Sequence, residues 1–333
     1  MPEVAFIGHM PSARRYHDLL CAARGPDLPA PPLEDFERMV RAMAPMPISD
    51  FWFESTTGRQ VVGRYIDIFF LVDEPLAVKA GLSRVRAACD EARACGARIA
   101  ALGGFSSILG EMSGGGASAA HGLALTTGNT LTAAVLAAQV QVAAHGDIAV
   151  TVVGAGGDVG SGLCRILAAQ GRQLVLVGRN PRPLEELESE LPRARACGWD
   201  EAARTAELVV TVASTPPGAI ALDALPSGAT VLDAGHPSNA APAARVRYAP
   251  AGKVRHARTP RTDLPVVLAD CAHGETHACL AEALVLAYEE RFEPYSRGRG
   301  GVHPPAAAAI LALAERHGVV PAPLHFAAPT LPT

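Results

Sequence analysis

The segment VTVVGAGGDVGSGLCRILAAQG, Val150 to Gly171, constrains the fold more than any other part of the chain. A β-branched apolar run leads into Gly154, Gly156, Gly157 and Gly160, and an apolar stretch of helical composition follows and closes at Gly171. Glycines in that setting let the chain turn tightly and approach a ligand closely. The helix behind them presents unpaired N–H groups and the positive end of its dipole to a pyrophosphate. A tight strand–helix turn with no ligand is the plain alternative, and a glycine pattern gains weight against it only through its strand–turn–helix context. That context is present, with Asp158 and Val159 inside the turn. The segment therefore predicts a Rossmann-type α/β domain with a parallel sheet.

The strand text after the turn, QLVLVGRN, ends in Arg179 and Asn180, where an NAD-specific fold presents an acidic residue to the ribose hydroxyls. Arginine there favours a 2′-phosphate, so NADPH is the expected cofactor. Arg182 is a second candidate for the same phosphate, with a solvated surface role as the alternative. Further on, VVTVASTPPG brings Ala213, Ser214, Thr215 and Pro216 to the carboxyl edge of the sheet, the ligand-binding edge of an open α/β sheet. A simple turn made by Pro216, Pro217 and Gly218 is the competing explanation.

Three regions are expected from the punctuation of the chain: an N-terminal α/β substrate domain over 1–145, the cofactor domain over 146–250, and a mostly helical C-terminal region over 251–333. In the first, VAFIGHM, RYIDIFFLV from Arg64 and RIAALGGF from Arg98 read as strands, and the text from Glu74 as an amphipathic helix. Prolines 26, 29, 31 and 32 interrupt the region and mark an excursion. The stretch from Thr130 to Gly146 reads as a helix linking the first two domains. The C-terminal segments THACLAEALVLAYEERF and PPAAAAILALAERHG have helical period.

A net charge of −4 without blocks of Lys and Arg excludes a phosphate-tracking nucleic-acid binder. No stretch reads as a membrane span, and the N-terminus lacks the basic and long apolar regions of a secretory signal. The seven cysteines are scattered and form no CxxC pair, so neither a metal site nor a disulfide framework is expected. A soluble enzyme in a reducing cytoplasm fits these features. Six cysteines read as small buried hydrophobes. Cys279 differs, because HGETHACLAEAL places it in the first turns of a helix, where the dipole lowers a thiol pKa. A core role on an apolar face is the alternative. His277 lies two positions earlier, on a different face of any helix, and His273 precedes the helix and could fold back toward the thiol; either histidine reads more readily as a surface residue than as a base. Glu282, three positions on, would oppose a thiolate and is expected to have a structural partner.

IGHM, TTGRQVVGRYIDIFFL, ALGGFSSI, TTGNTLTA, GAGGDVGSGLCR, VGRN, VASTPPG, LDAGHPSN, HACLAEAL and LAERHGVVP follow one another nearly end to end. In that order they resemble the long-chain fatty acyl-ACP reductases of the cyanobacterial alkane pathway. The resemblance implies NADPH-dependent reduction of a long-chain acyl thioester, on acyl carrier protein or coenzyme A, to the fatty aldehyde. It implies Cys279 as the nucleophile that carries the acyl group. It also implies an acyl carrier protein and an aldehyde-consuming enzyme as partners. TTGNT, with Thr127, Asn129 and Thr130, is placed by the resemblance near the nicotinamide, although Asn129 or Thr130 also suits a helix cap. Gly103, Gly104, Ser106 and Ser107 of GGFSS are placed at the acyl thioester, although a strand-to-loop turn explains them as well. Two alternatives for the function remain: a reductase of another carrier-bound acyl thioester, and a non-catalytic NADPH-responsive binding module. A shikimate-dehydrogenase-like chemistry on the same framework lacks its lysine–aspartate pair.

Overall fold

In the computed structural model, residues 1–10, 12–24, 31–71, 77–112, 122–215, 218–236, 238–243, 245–264, 271–296 and 301–327 are described. Pro26, Pro29, Pro216 and Pro217 lie outside them.

Short apolar strands, buried on both faces, organise both halves of the chain, as parallel sheets require. The first sheet contains β1 (Val4–Gly8), β2 (Met46–Glu54), β3 (Gln60–Asp67), β4 (Ile99–Leu102) and β5 (Ala124–Thr126). Its order is β2–β3–β1–β4–β5, with Arg261–Thr262 added antiparallel outside β2. β3, β1, β4 and β5 run parallel, whereas β2 returns antiparallel on β3. β2 went unread in the sequence, although Phe51 and Phe53 are buried on one face while Trp52 points out, which is strand alternation. Helices α1 (Ala13–Arg24), α2 (Leu33–Ala42), α3 (Ala77–Ala94) and α4 (Phe105–Met112) accompany this sheet. Val85, Ala88, Cys89 and Ala92 of α3 share a core with Ala5, Ile7, Ile66 and Leu102.

The second sheet comprises β6 (Val150–Val153), β7 (Leu174–Val177), β8 (Ala194–Ala196), β9 (Leu208–Thr211), β10 (Thr230–Asp233) and β11 (Arg247–Pro250). Its order is β8–β7–β6–β9–β10–β11 and every pairing is parallel. Renumbered from β6, that is 3-2-1-4-5-6, the Rossmann order, with the sheet reversing direction at β6 and β9. One apolar cluster beside it contains Ala133, Leu136 and Val140 of α5 (Asn129–Ala143) with Leu163 and Leu167 of α6 (Asp158–Ala169). A second contains Val209, Val231, Tyr248 and Leu225.

The chain divides into two units. Unit one is 1–127, 258–274 and 283–295, and unit two is 128–257, 275–282 and 296–333. This differs from boundaries at 145 and 250. α5 is more than a linker between regions: ten of its residues are buried and it belongs to the core of unit two. The C-terminal third supplies pieces to both units. It holds helices Ala278–Tyr288 and Pro304–Arg316, and also strands. Lys253–His256 pairs antiparallel with Glu275–His277 and with Val319–Pro321. Among the described residues, no helix is long and apolar enough to cross a membrane.

Candidate active site

The glycine turn closes where the sheet reverses. Gly154 has φ 91°, and a Cβ there would lie 2.8 Å from the backbone N of Ala213. A Cβ on Gly160 would lie 2.1 Å from the carbonyl oxygen of Gly154. Both positions therefore require glycine: Gly154 brings the β6–α6 turn against the segment leaving β9, and Gly160 lets the helix start fold back onto the turn. Gly157 caps α6 without a side-chain hydrogen bond, and Asp158 and Val159 open the helix. Backbone donors at an uncapped helix start, beside a turn that a Cβ would fill, are the chemistry a dinucleotide pyrophosphate needs.

Ala213, Ser214 and Thr215 leave the carboxyl end of β9, as the sequence led us to expect. Their fixing residue, Asn239, went unread. It is fully buried, and its amide donates to the Ala213 carbonyl at 2.7 Å and reaches Thr215 Oγ1 at 3.1 Å. Its carbonyl oxygen accepts from Thr211 Oγ1 at 2.7 Å. Asp233, at the end of β10, accepts from Gly235 N, Ala240 N and Tyr248 Oη, which shapes the loop carrying Asn239. Burial raises the Asp233 pKa against these hydrogen bonds.

At the end of β7, Arg179 is exposed, and among the described residues its guanidinium reaches the Ser214 carbonyl, at 3.4 Å. Asn180 is the N-cap of α7 (Pro181–Glu190), accepting from Arg182 N at 3.3 Å. Arg182 is engaged by Glu186 one turn along, at 3.1 Å. Arg179 and Arg182 both present exposed guanidinium groups at this end of the sheet.

The TTGNT segment opens α5. Thr127 is buried and ends the first stretch of unit one, and Gly128 begins unit two. Gly128, at φ 71°, caps the helix without a side-chain hydrogen bond. Neither Asn129 nor Thr130 provides the cap. The first-turn donors go elsewhere: Thr130 N to Ser296 Oγ at 3.0 Å, and Leu131 N to Glu282 Oε2 at 2.8 Å. Ser296 Oγ also donates to Glu282 at 2.8 Å, from a backbone at φ 52°. Glu282 is thus the structural residue expected, a carboxylate at the positive end of a helix.

Gly128 also lies against the nucleophile candidate. A Cβ on Gly128 would stand 2.2 Å from both Cα and O of Cys279. The start of α5 and the start of the Cys279 helix therefore meet through backbone. The Cys279 thiol departs from expectation. Its pKa is raised, because burial outweighs everything that favours the thiolate; His277 acts to lower it and Glu282 to raise it. The helix start alone does not activate this thiol. The other cysteines divide: Cys89 and Cys164 are buried, with thiols pushed up to about 12, whereas Cys21, Cys95, Cys197 and Cys271 are half-buried rather than core residues.

In unit one, GGFSS forms the β4–α4 junction. Gly103 N donates to Ile7 O at 2.9 Å, and Ser106 Oγ lies 2.6 Å from Gly103 O and 2.9 Å from Ile7 O. Ser107 Oγ donates to Gly104 O at 2.7 Å. These hydroxyls hold the junction together. At the same sheet edge, Asp67 was not singled out from the sequence. It is buried, accepts from Tyr16 Oη at 2.5 Å, Phe69 N at 2.6 Å and Tyr65 Oη at 3.3 Å, and burial still holds its pKa at about 7.

No family model matches the chain. The long-chain acyl-[acyl-carrier-protein] reductase of Synechococcus elongatus is 33% identical over 309 residues, spanning 83% of this chain and 87% of that protein. This chain belongs to the long-chain acyl-[acyl-carrier-protein] reductase family. Solved structures are more distant. L-tryptophan dehydrogenase from Nostoc punctiforme is 12% identical over 95% of this chain and 80% of that one, with a TM-score of 0.39. Shikimate 5-dehydrogenase from Thermus thermophilus, in complex with NADP(H) and shikimate, is 14% identical over 93% and 100%, with a TM-score of 0.36. At such scores they add nothing to the sheet order itself. Family membership and that order make this acyl-[acyl-carrier-protein] reductase family member an oxidoreductase built around a nicotinamide dinucleotide fold.

Proposed function

We propose that the chain reduces a long-chain fatty acyl thioester, presented by acyl carrier protein or coenzyme A, to the aldehyde, using NADPH and a Cys279-bound acyl-enzyme. The observation that carries this reading is the approach of Gly128 to the Cys279 backbone. It joins Gly128 of the TTGNT segment to a cysteine at a helix start, in the unit that also holds the glycine turn.

In this reading Gly154, Gly156, Gly157, Asp158, Val159 and Gly160 seat the pyrophosphate with backbone donors, and Arg179 pairs with the 2′-phosphate. Ala213, Ser214 and Thr215, held by Asn239, border the ribose at the carboxyl edge, with Thr127, Asn129 and Thr130 toward the nicotinamide. Asn180 contributes by starting α7 beside Arg179. Cys279 attacks the thioester carbonyl, and the carrier thiol leaves. NADPH, when bound, supplies the hydride that releases the acyl group as aldehyde. Gly103, Gly104, Ser106 and Ser107 shape the acyl side through the backbone they hold. Splitting the reaction at a thioester intermediate replaces one difficult displacement by two easier ones.

The test is direct. Purified protein with palmitoyl-CoA and no cofactor should gain one acyl group on Cys279, read by intact mass and peptide mapping. NADPH should then discharge it as aldehyde, and Cys279→Ser should do neither at the unmodified rate. Acylation elsewhere, or full activity in Cys279→Ala, overturns the nucleophile assignment. NADPH binding without turnover on any acyl thioester leaves the binding-module alternative.

A further inference from the structure

Two histidines link the carboxyl edge of the cofactor sheet to the start of the Cys279 helix. His236 sits in the loop after β10, three residues beyond Asp233. Its ring meets that of His277 edge-on, with centroids 5.3 Å apart and an interplanar angle of 70°. His277 ends the strand Glu275–His277 and stands two residues before Cys279. It pairs in register with Lys253, and the next residue, Ala278, donates its N–H to Gly252 O at 3.0 Å. Strand pairing and ring contact thus fix the imidazole at the junction where the thiol begins its helix. Both rings are half-buried, which gives them access to the proton exchange a base needs.

Of the titratable groups around this junction, His277 stands nearest to Cys279 along the chain, at the end of the strand that runs into its helix. Lys253 is buried across the strand pair, and Glu275 is buried and tied to Arg255 at 3.0 Å and His325 at 2.9 Å. Glu282, on the cysteine helix, opposes the thiolate and is occupied by Leu131 N and Ser296. Cys279 is half-buried, its burial raises the thiol pKa, and His277 acts against that rise. A cysteine with a raised pKa needs an adjacent base to become a nucleophile.

We propose that His277, held in place by His236, takes the Cys279 proton as the thiol attacks the acyl thioester and returns it to the departing carrier thiol. The step rests on the thioester reading above. A bond forms between Cys279 Sγ and the acyl carbon, and the carbon–sulfur bond to the carrier breaks. The proton passes from Cys279 to His277 to the carrier sulfur, and no redox change occurs in this half-reaction.

The rate of Cys279 alkylation by iodoacetamide, followed by peptide mass from pH 5.5 to 10, tests the pairing without any acyl substrate. The unmodified protein should show a step in the imidazole range below the thiol's own rise. His277→Gln should lose that step and react at least tenfold more slowly at pH 7.5, and His236→Gln should shift it. A merely structural role would leave the shape of the profile unchanged. Superimposable profiles for His277→Gln and the unmodified protein, with NADPH binding kept, overturn the proposal. Should His277→Gln not bind NADPH, the unmodified profile decides alone: a single rise in the ordinary thiol range overturns it. If the step is present but palmitoyl-CoA leaves no adduct, the histidine–thiol pairing stands and the thioester reading fails.

Discussion

Gly128→Ala places one methyl group where the geometry has no room for it. The added carbon would sit 2.2 Å from Cα and O of Cys279 and 2.5 Å from its carbonyl carbon. Ordinary carbon contacts begin near about 3.5 Å, so the two backbones must separate by roughly 1 Å. Neither contact is the tip of a flexible side chain, so no rotamer change relieves it. The φ of 71° adds about 1–2 kcal/mol of left-handed strain for a residue with a Cβ. A nucleophile displaced by about 1 Å loses on the order of 10²-fold in rate. The expected result is therefore a loss of about 100-fold in acylation of Cys279 by palmitoyl-CoA, measured by quenched-flow mass spectrometry. The turn at Gly154–Gly160 is built from other contacts, so NADPH should still bind, with any loss confined to what Thr127, Asn129 and Thr130 contribute beside Gly128. A thermal melt checks that the variant is folded. Acylation at the unmodified rate in a folded Gly128→Ala protein would refute the idea that this backbone contact sets the nucleophile.

Arg179→Ala should weaken NADPH binding while leaving NADH nearly unchanged, by fluorescence titration; equal affinities for the two cofactors in the unmodified protein would remove the phosphate assignment. Glu282→Leu strands the Leu131 N–H in a buried site and should cost about 1–3 kcal/mol, whereas Glu282→Gln keeps an acceptor and should cost less. Equal Tm values for the two variants would contradict the capping role. Asp67 has a folded pKa of about 7 against 3.8 for the free side chain, so the folded state binds the extra proton between those values. Stability therefore falls as pH rises through that window, by at most about 4 kcal/mol. Asp67→Asn keeps an acceptor for Tyr16 and Phe69 and removes the titration, so its Tm relative to the unmodified protein should climb from pH 5 to pH 8. A constant difference would rule this out.

The readable features were those whose physics is local. The β6–α6 turn spells strand, glycines and helix within some twenty consecutive residues, and the parallel sheet followed from repeating that punctuation. Glu282 was readable as a structural residue because a carboxylate beside a thiol needs another purpose. β2 was readable and missed, since Phe51, Trp52 and Phe53 alternate inward, outward and inward. Other features depend on contacts distant in sequence. Nothing near Asn239 signals that its amide will bind Ala213, 26 residues earlier, or that Ser296 will serve Thr130, 166 residues away. The rise in the Cys279 pKa belongs to the same class, because burial is a property of the packed chain and the helix position alone pointed the other way.

The two units exchange chain at 127/128, 257/258, 274/275, 282/283 and 295/296. During synthesis, β2 leaves the ribosome long before Arg261–Thr262, which pair with Trp52 and Phe51. At ordinary elongation rates that interval is roughly 10–40 s. For that time β2 presents an open edge of backbone donors and acceptors, the surface on which nascent chains pair wrongly. Unit one therefore cannot finish folding as an independent N-terminal module, and it cannot be exchanged as a cassette with one from a related enzyme by a single splice. Recombination within this family has to carry the late segments along with the early ones.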